Sequence, residues 1–404
     1  MSDFNGEPKS LSVLHVWPYY NEELKYHVNY LCDELAKRGF KVELWAANCT
    51  KRIWLRYVDA DSLTAGEREC SFGQLLRIRS IHIARKCIPI GFVRMFLAAR
   101  RAQPDIVHLF GISSFFNAVC LFWLCVFCRK KFAVVINDHS NPHLDRDSTF
   151  SRLYFKFFKI LFSLVKKKTH CIYVPNKATA NLLSRRYGFA DEYLRIVPLG
   201  FDNEVFTTDE SSRNRTETFQ IVFAGKVNRA KQLERLFAAM ESAGLCESAE
   251  LKVAGVDSED DYTQSLIALA ETHNVRTEFL PLLNPTELAD LYAKADLAVF
   301  PGSISITTLE ANGCGLPVIV YESIEGLQDR VSDGRGELFS TDDELVSALK
   351  KYHQQKATQG IDHVSIKTMS MKYSWENIAK IYGEDYLAIQ KHGHVSKEGG
   401  GSIS

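Results

Sequence analysis

Residues 219–231 read FQIVFAGKVNRAK: a β-branched and aromatic run that ends at Ala224, a turn at Gly225, and two lysines, Lys226 and Lys231, bracketing the loop before a helical pattern. An apolar strand of this kind is buried on both faces, as the strands of parallel sheets are. In an open α/β sheet ligands sit beyond the carboxyl ends of the strands, which is where this loop falls. Lysines there, near a helix N-terminus, suit phosphate oxygens, and a departing diphosphate needs neutralising as its charge develops. The plainer alternative is two solvated loop lysines.

The same alternation of short apolar runs and longer helical patterns extends in both directions. Downstream, strands are expected at Glu250–Val253, Val275–Leu280, Leu297–Phe300 and Pro317–Val320; upstream, at Ser12–Trp17, Lys41–Trp45, Asp105–Phe110, Phe132–Asn137 and Cys171–Val174. Between the first two lies a helix over Glu22–Arg38, with Gly39 where a C-cap belongs. Alternating βαβ units make the fold class α/β. With 404 residues the chain exceeds what one core usually serves, so two domains and a cleft are expected. The polar stretch TTDESSRNRTE falls at 207–217. It divides the chain into a domain over 1–206, a linker over 207–218 and a domain over 219–373, followed by a helix over 374–391 and a disordered Gly/Ser/Lys-rich tail over 392–404.

Composition excludes more than it names. The 49 basic and 49 acidic side chains give no global field for nucleic acid. Ten scattered cysteines show neither metal-ligand spacing nor a disulfide framework, and read as buried thiols of a reducing compartment. The polar residues after Met1 form no secretory leader, so cytoplasmic residence is expected. Phe115–Cys128 is too short and too interrupted, by Asn117, to span a bilayer, and reads as a buried helix.

A second constellation is FPGSISITTLEANGCGLPV at 300–318, where a strand breaks at Pro301-Gly302 and a Ser/Thr-rich segment leads into a short helix. Ser303, Ser305, Thr307 and Thr308 are expected to cap that helix while its free N–H groups hold an anion. Glu310 lies just beyond, where a carboxylate can accept hydrogen bonds from ribose hydroxyls, unless it is an ordinary surface glutamate.

Together these stretches resemble glycosyltransferase family 4, retaining enzymes of the GT-B class with two Rossmann-like domains facing a cleft and a C-terminal helix crossing back. IVPLGFDNEVF (196–206) is similar to that family's segment closing the first domain, and Gly225, Lys226 and Lys231 match its Gly-Arg/Lys, four residues, Lys pattern. LEANGCGLPV (309–318) matches its ribose-glutamate motif, and Ser374-Trp375-Glu376 resembles the opening of its last helix. The resemblance implies a nucleotide-sugar donor gripped by Lys226 and Lys231, with Gly225, Ser305, Thr307, Thr308 and Glu310 as donor contacts. It implies no metal and no other cofactor. FAVVINDHS (132–140) is similar to the strand and loop bearing the family's active-site histidine, which places His139 beside the transferred sugar; His108, a secondary candidate, lies inside a strand and suits local packing.

Two positions depart from the family. Pro18–Glu23 holds no glycine where the family has a Gly-Gly pair, and Gly302 stands where the family has the first of two glutamates, the one that supports the transferring sugar. They leave room for a catalytically inactive binding subunit, as the shared architecture does for a nucleotide-sugar epimerase. The acceptor expected is a glycan or lipid-linked saccharide in cell-surface polysaccharide or glycolipid assembly. FSRLYFKFFKILFSLVKKK, 150–168, interleaves aromatic and basic residues as an interfacial helix does, so peripheral contact with the inner leaflet is expected, against simple packing on the first sheet.

Overall fold

The computed structural model describes residues 10–23, 26–50, 59, 61–83, 86–140, 149–165, 168–208, 216–257, 259–323 and 326–392. Most of the expected linker (209–215), Lys166 and Lys167, and the tail from 393 lie outside the described residues. The chain forms two compact units: 1–198 with 378–402, and 199–377.

In the first unit the strands are β1 (Ser12–Val16), β2 (Lys41–Ala47), β3 (Gly66–Cys70), β4 (Gly73–Ile78), β5 (Ser80–Ile83), β6 (Lys86–Pro89), β7 (Ile106–Phe110), β8 (Ala133–Asn137), β9 (Thr169–Val174) and β10 (Leu194–Ile196). An eight-stranded sheet runs β10-β9-β8-β7-β1-β2-β4-β3, parallel except for β3, and β5-β6 form a separate hairpin. The helices are α1 (His27–Lys37), α2 (Phe92–Arg101), α3 (Phe115–Phe127), α4 (Thr149–Val165) and α5 (Lys177–Tyr187). Helix α1 starts five residues later than expected and ends at Gly39, whose φ of +84° and bond to Ala36 O, with Phe40 N donating to Leu35 O, close a Schellman motif. Helix α3 is buried only along Phe116, Asn117, Cys120, Leu121 and Leu124, and Phe122 and Val126 are exposed, which corrects the expectation of a buried helix.

The second unit contains β11 (Phe219–Ala224), β12 (Ala249–Ala254), β13 (Thr277–Leu280), β14 (Leu297–Phe300), β15 (Val318–Tyr321) and β16 (Gly336–Phe339), all parallel in the order β13-β12-β11-β14-β15-β16. Around them lie α6 (Leu233–Ser242), α7 (Asp261–Thr272), α8 (Pro285–Ala293), α9 (Thr307–Gly313), α10 (Gln328–Val331), α11 (Asp342–Thr358) and α12 (His363–Ser370). The division at Pro198 places Phe201 and Phe206, assigned above to the first domain, in this unit's apolar core. Gly313 lets α9 meet Phe201, because a Cβ there would stand 2.3 Å from the ring.

Helix α13 (Trp375–His392) begins with the second unit and continues with the first from Ile378. In the first unit it is anchored by the Asp385–Arg195 ion pair at 2.9 Å and by Tyr382 OH, which accepts from Asn137 Nδ2 at 2.9 Å. No described helix is long and apolar enough to cross a membrane.

Candidate active site

In the second unit β11 and β14 lie side by side at the centre of the sheet, and the strand order reverses between them. The crevice beyond their carboxyl ends is where an open α/β sheet binds ligands. Gly225 leaves β11 with φ +142°, and the exit of β12 presses on it: a Cβ on Gly255 would sit 2.3 Å from Gly225 O. Val227 N donates to Gly255 O at 3.0 Å, and Asn228 Oδ1 accepts from Ala230 N at 3.0 Å, capping the single turn Arg229–Lys231.

This turn carries Lys231 into the protein. The side chain is buried, and its Nζ donates to Ser303 O at 2.7 Å. Burial lowers its pKa from the ordinary lysine value. Lys226 is exposed. Gly302 explains itself here: a Cβ would lie 2.3 Å from Ala230 O and 2.6 Å from Lys231 O, and Ser303 N donates to Ala230 O at 2.8 Å. The place of the family's first glutamate is filled by the backbone that carries Lys231.

The segment after β14 corrects one expectation. Ile306 holds the N-cap of α9, and no side chain caps the helix. Instead Thr307 Oγ1 donates to Ala224 O at 3.1 Å, Thr308 Oγ1 to Ser305 O at 3.2 Å, and the Ser305 and Thr307 hydroxyls are 2.6 Å apart. The hydroxyls thus tie α9 to the end of β11, leaving Ser305, half-buried, nearest to Gly225. One turn along α9 stands Glu310, half-buried; its backbone O accepts from Cys314 N at 3.1 Å, while its carboxylate accepts no hydrogen bond from a described residue. Burial, with Asp202 nearby adding like charge, pushes its carboxyl up to about 8. Nothing in the sequence spacing had marked Asp202.

In the first unit His139 follows β8. Asp138 fixes its loop by accepting from Ile112 N and Ser140 N, both at 2.9 Å. The His139 ring lies 4.4 Å from that of His27, and His27 lies 5.1 Å from Phe110. His108 is fully buried in β7, beside its register partner His15 at 5.1 Å, with its Nδ1 2.6 Å from Tyr386 OH. Burial holds His139 down to about 4 and His15 to about 3, and lowers His108 and His27 far as well, so the cluster is uncharged at neutral pH. His15, His27 and Asp138 were not singled out from the sequence: His15 and His108 meet only through strand register, and His27 reaches His139 from the start of α1.

Comparison with known proteins identifies the family. The family models Glycosyltransferase Family 4 and Glycosyl transferases group 1 match residues 24–205 and 205–359. The chain belongs to glycosyltransferase family 4. Within it, a D-inositol 3-phosphate glycosyltransferase from Arthrobacter sp. (strain FB24) is 28% identical over 231 residues, 52% of this chain and 54% of the relative. The chain thus spans about half the length of the curated relatives it matches. Among solved structures, a sucrose-phosphate synthase from Thermosynechococcus elongatus has a TM-score of 0.68 at 18% identity, covering 94% of this chain and 99% of that one. HepE from Anabaena, solved in complex with UDP, has a TM-score of 0.67 at 13% identity, covering 94% and 100%. These neighbours share the GT-B fold of the family.

Proposed function

We propose that this protein moves a hexose-type sugar from a nucleoside-diphosphate sugar to a glycan or lipid-linked saccharide, in cell-surface polysaccharide or glycolipid assembly. The observation that carries the reading is the second unit's switch point, where a buried lysine and an unpartnered carboxylate flank a glycine turn. In this reading Lys231 and Lys226 neutralise the departing diphosphate, which is the work a metal ion does elsewhere, so the donor needs none. Glu310 accepts from the ribose hydroxyls, and the backbone around Gly225 and Ser305–Thr308 receives phosphate. Neutral His139 offers a hydrogen bond to the sugar, and the acceptor binds the first unit. Family membership implies retention of configuration.

Thermal unfolding with UDP, GDP, ADP and dTDP and their sugar conjugates tests the donor assignment, since ligand at 100 times its Kd adds about 2.7 kcal/mol. The uridine series comes first, because HepE is a neighbour solved with UDP. A shift confined to one series supports the assignment; none at millimolar ligand favours an inactive binding subunit. Product analysis then separates transfer from epimerisation.

The acceptor reading gains from the surface of the first unit. Helix α4 packs Phe158 into the core yet exposes Leu153, Phe157 and Ile160, beside exposed Lys156 and Lys159. Helix α3, whose Phe115 meets Phe157 and Phe158, and α2 packed on it expose Phe92, Val93, Leu97 and Phe122. Apolar side chains among basic ones suit the headgroup region of an anionic leaflet. Co-sedimentation with phosphatidylglycerol vesicles, weakened by salt and by Phe157→Ser with Ile160→Ser, is the expected result; equal recovery with neutral vesicles would oppose it.

A further inference from the structure

The ten cysteines look unrelated in sequence, but folding brings two of them together with a histidine. Strand β2 runs parallel to β4, and just past their ends Asn48 N donates to Ile78 O at 3.0 Å while Asn48 Oδ1 accepts from Ser80 N at 2.8 Å. Cys49 is thereby laid against the β5-β6 hairpin. In that hairpin His82 and Cys87 are direct cross-strand partners, so their side chains share a face. Cys49 Sγ and Cys87 Sγ are 3.8 Å apart, and a ring nitrogen of His82 completes a set of donor atoms within 4.8 Å of one another.

The distances can be tested against coordination chemistry. Two thiolates at about 2.3 Å from one tetrahedral zinc ion stand about 3.8 Å apart. The observed separation is that of two ligands on a common ion, although buried thiols in van der Waals contact have it too. The third donor separates these explanations. Apolar packing has no need to set an imidazole over a thiol pair, whereas cysteine and histidine together are the donors that zinc-like ions take. Burial is graded as well: Cys87 is buried, Cys49 half-buried and His82 exposed, so an ion can reach the thiols from solvent past the imidazole. The His82 ring also stacks on Tyr19, at 5.9 Å, in the glycine-free loop after β1.

We propose that Cys49, His82 and Cys87 bind a zinc-class divalent cation through two thiolates and one imidazole, with a fourth position open to water or an outside ligand. On binding, the two thiols release their protons to solvent and the ion's charge is balanced by two thiolates. The ion would pin the β5-β6 hairpin to the end of β2 and, through His82, hold Tyr19 in the loop after β1. This site is separate from the donor site, which the proposed function leaves without a metal.

The test uses the full chain, reduced, stripped with chelator and titrated with cobalt(II) alone. Expected are one equivalent bound per chain, a thiolate-to-cobalt charge-transfer band, the visible bands of tetrahedral cobalt, and displacement by zinc. Cys87→Ser should cut the charge-transfer band to half or less, because only the Cys49 thiolate remains. His82→Ala, at an exposed position that folding tolerates, should weaken binding by roughly 10- to 100-fold or more, while Cys125→Ser on α3 leaves it unchanged. Absence of the band in the wild type, or wild-type cobalt binding by a folded His82→Ala, would overturn the proposal.

Discussion

The two sheets carry side-chain clusters of opposite chemistry. Beyond β11 and β14 the second unit sets an ammonium, Lys231, and a carboxyl group, Glu310, on backbone that glycines let pack closely. In the first unit four imidazoles sit among aromatic rings, all held neutral by burial. Two similar parallel scaffolds thus carry charged groups in one unit and neutral ones in the other, and fold alone does not decide between them. Under the proposed reaction the diphosphate needs fixed charge, whereas a sugar needs hydrogen bonds and an apolar surface.

The sharpest way to break this contrast is Lys231→Ala. It should lower kcat/KM by about 2–4 kcal/mol in transition-state stabilisation, as loss of an oxyanion donor does. Turnover like the wild type would show that charge at the switch point is not used.

A smaller effect is expected from Glu310. With its free carboxyl at about 8, ribose hydroxyls that favour the ionised form must draw off its proton. Nucleotide affinity should therefore rise with pH, by up to about tenfold per unit, and level off above about 8. Glu310→Gln should be flat, and calorimetry in two buffers should detect the released proton. In the unliganded protein the sign is reversed. A raised carboxyl stabilises the fold fully below the ordinary carboxylate range, and that contribution is lost as pH rises through about 8.

The smallest effect probes the neutral cluster. Tyr386→Phe removes the hydroxyl 2.6 Å from His108 Nδ1 and should cost about 1 kcal/mol in urea unfolding. Nucleotide binding should be unaltered; a change there would mean the two clusters are not separable.

Most strands legible in the sequence were those buried on both faces, such as IVHLF at 106–110, because burial demands an unbroken apolar run, although β13, partly buried at a sheet edge, was legible too. The sheet-edge strands β3, β10 and β16, the hairpin strands β5 and β6, and β4 had gone unread. The edge strands have partners on one side only, and β4 carries Gln74 and Arg77, whose guanidinium donates to Tyr20 O and Ala47 O. The Ser/Thr-rich segment at 303–308 follows β14 but does not cap α9, since hydroxyls next to a free carbonyl such as Ala224 O donate to it.

By itself the sequence determined the α/β class, the glycine turn with its lysines and the position of Glu310, since each is written in neighbouring residues through strand period, turn chemistry and helix phase. Tertiary structure alone decided that Lys231 is buried, that Gly302 has no room for a side chain, that four histidines form one neutral layer, and that Cys49, His82 and Cys87 converge. These depend on strand register and on the close approach of segments far apart in the chain, and local periodicity carries no record of either.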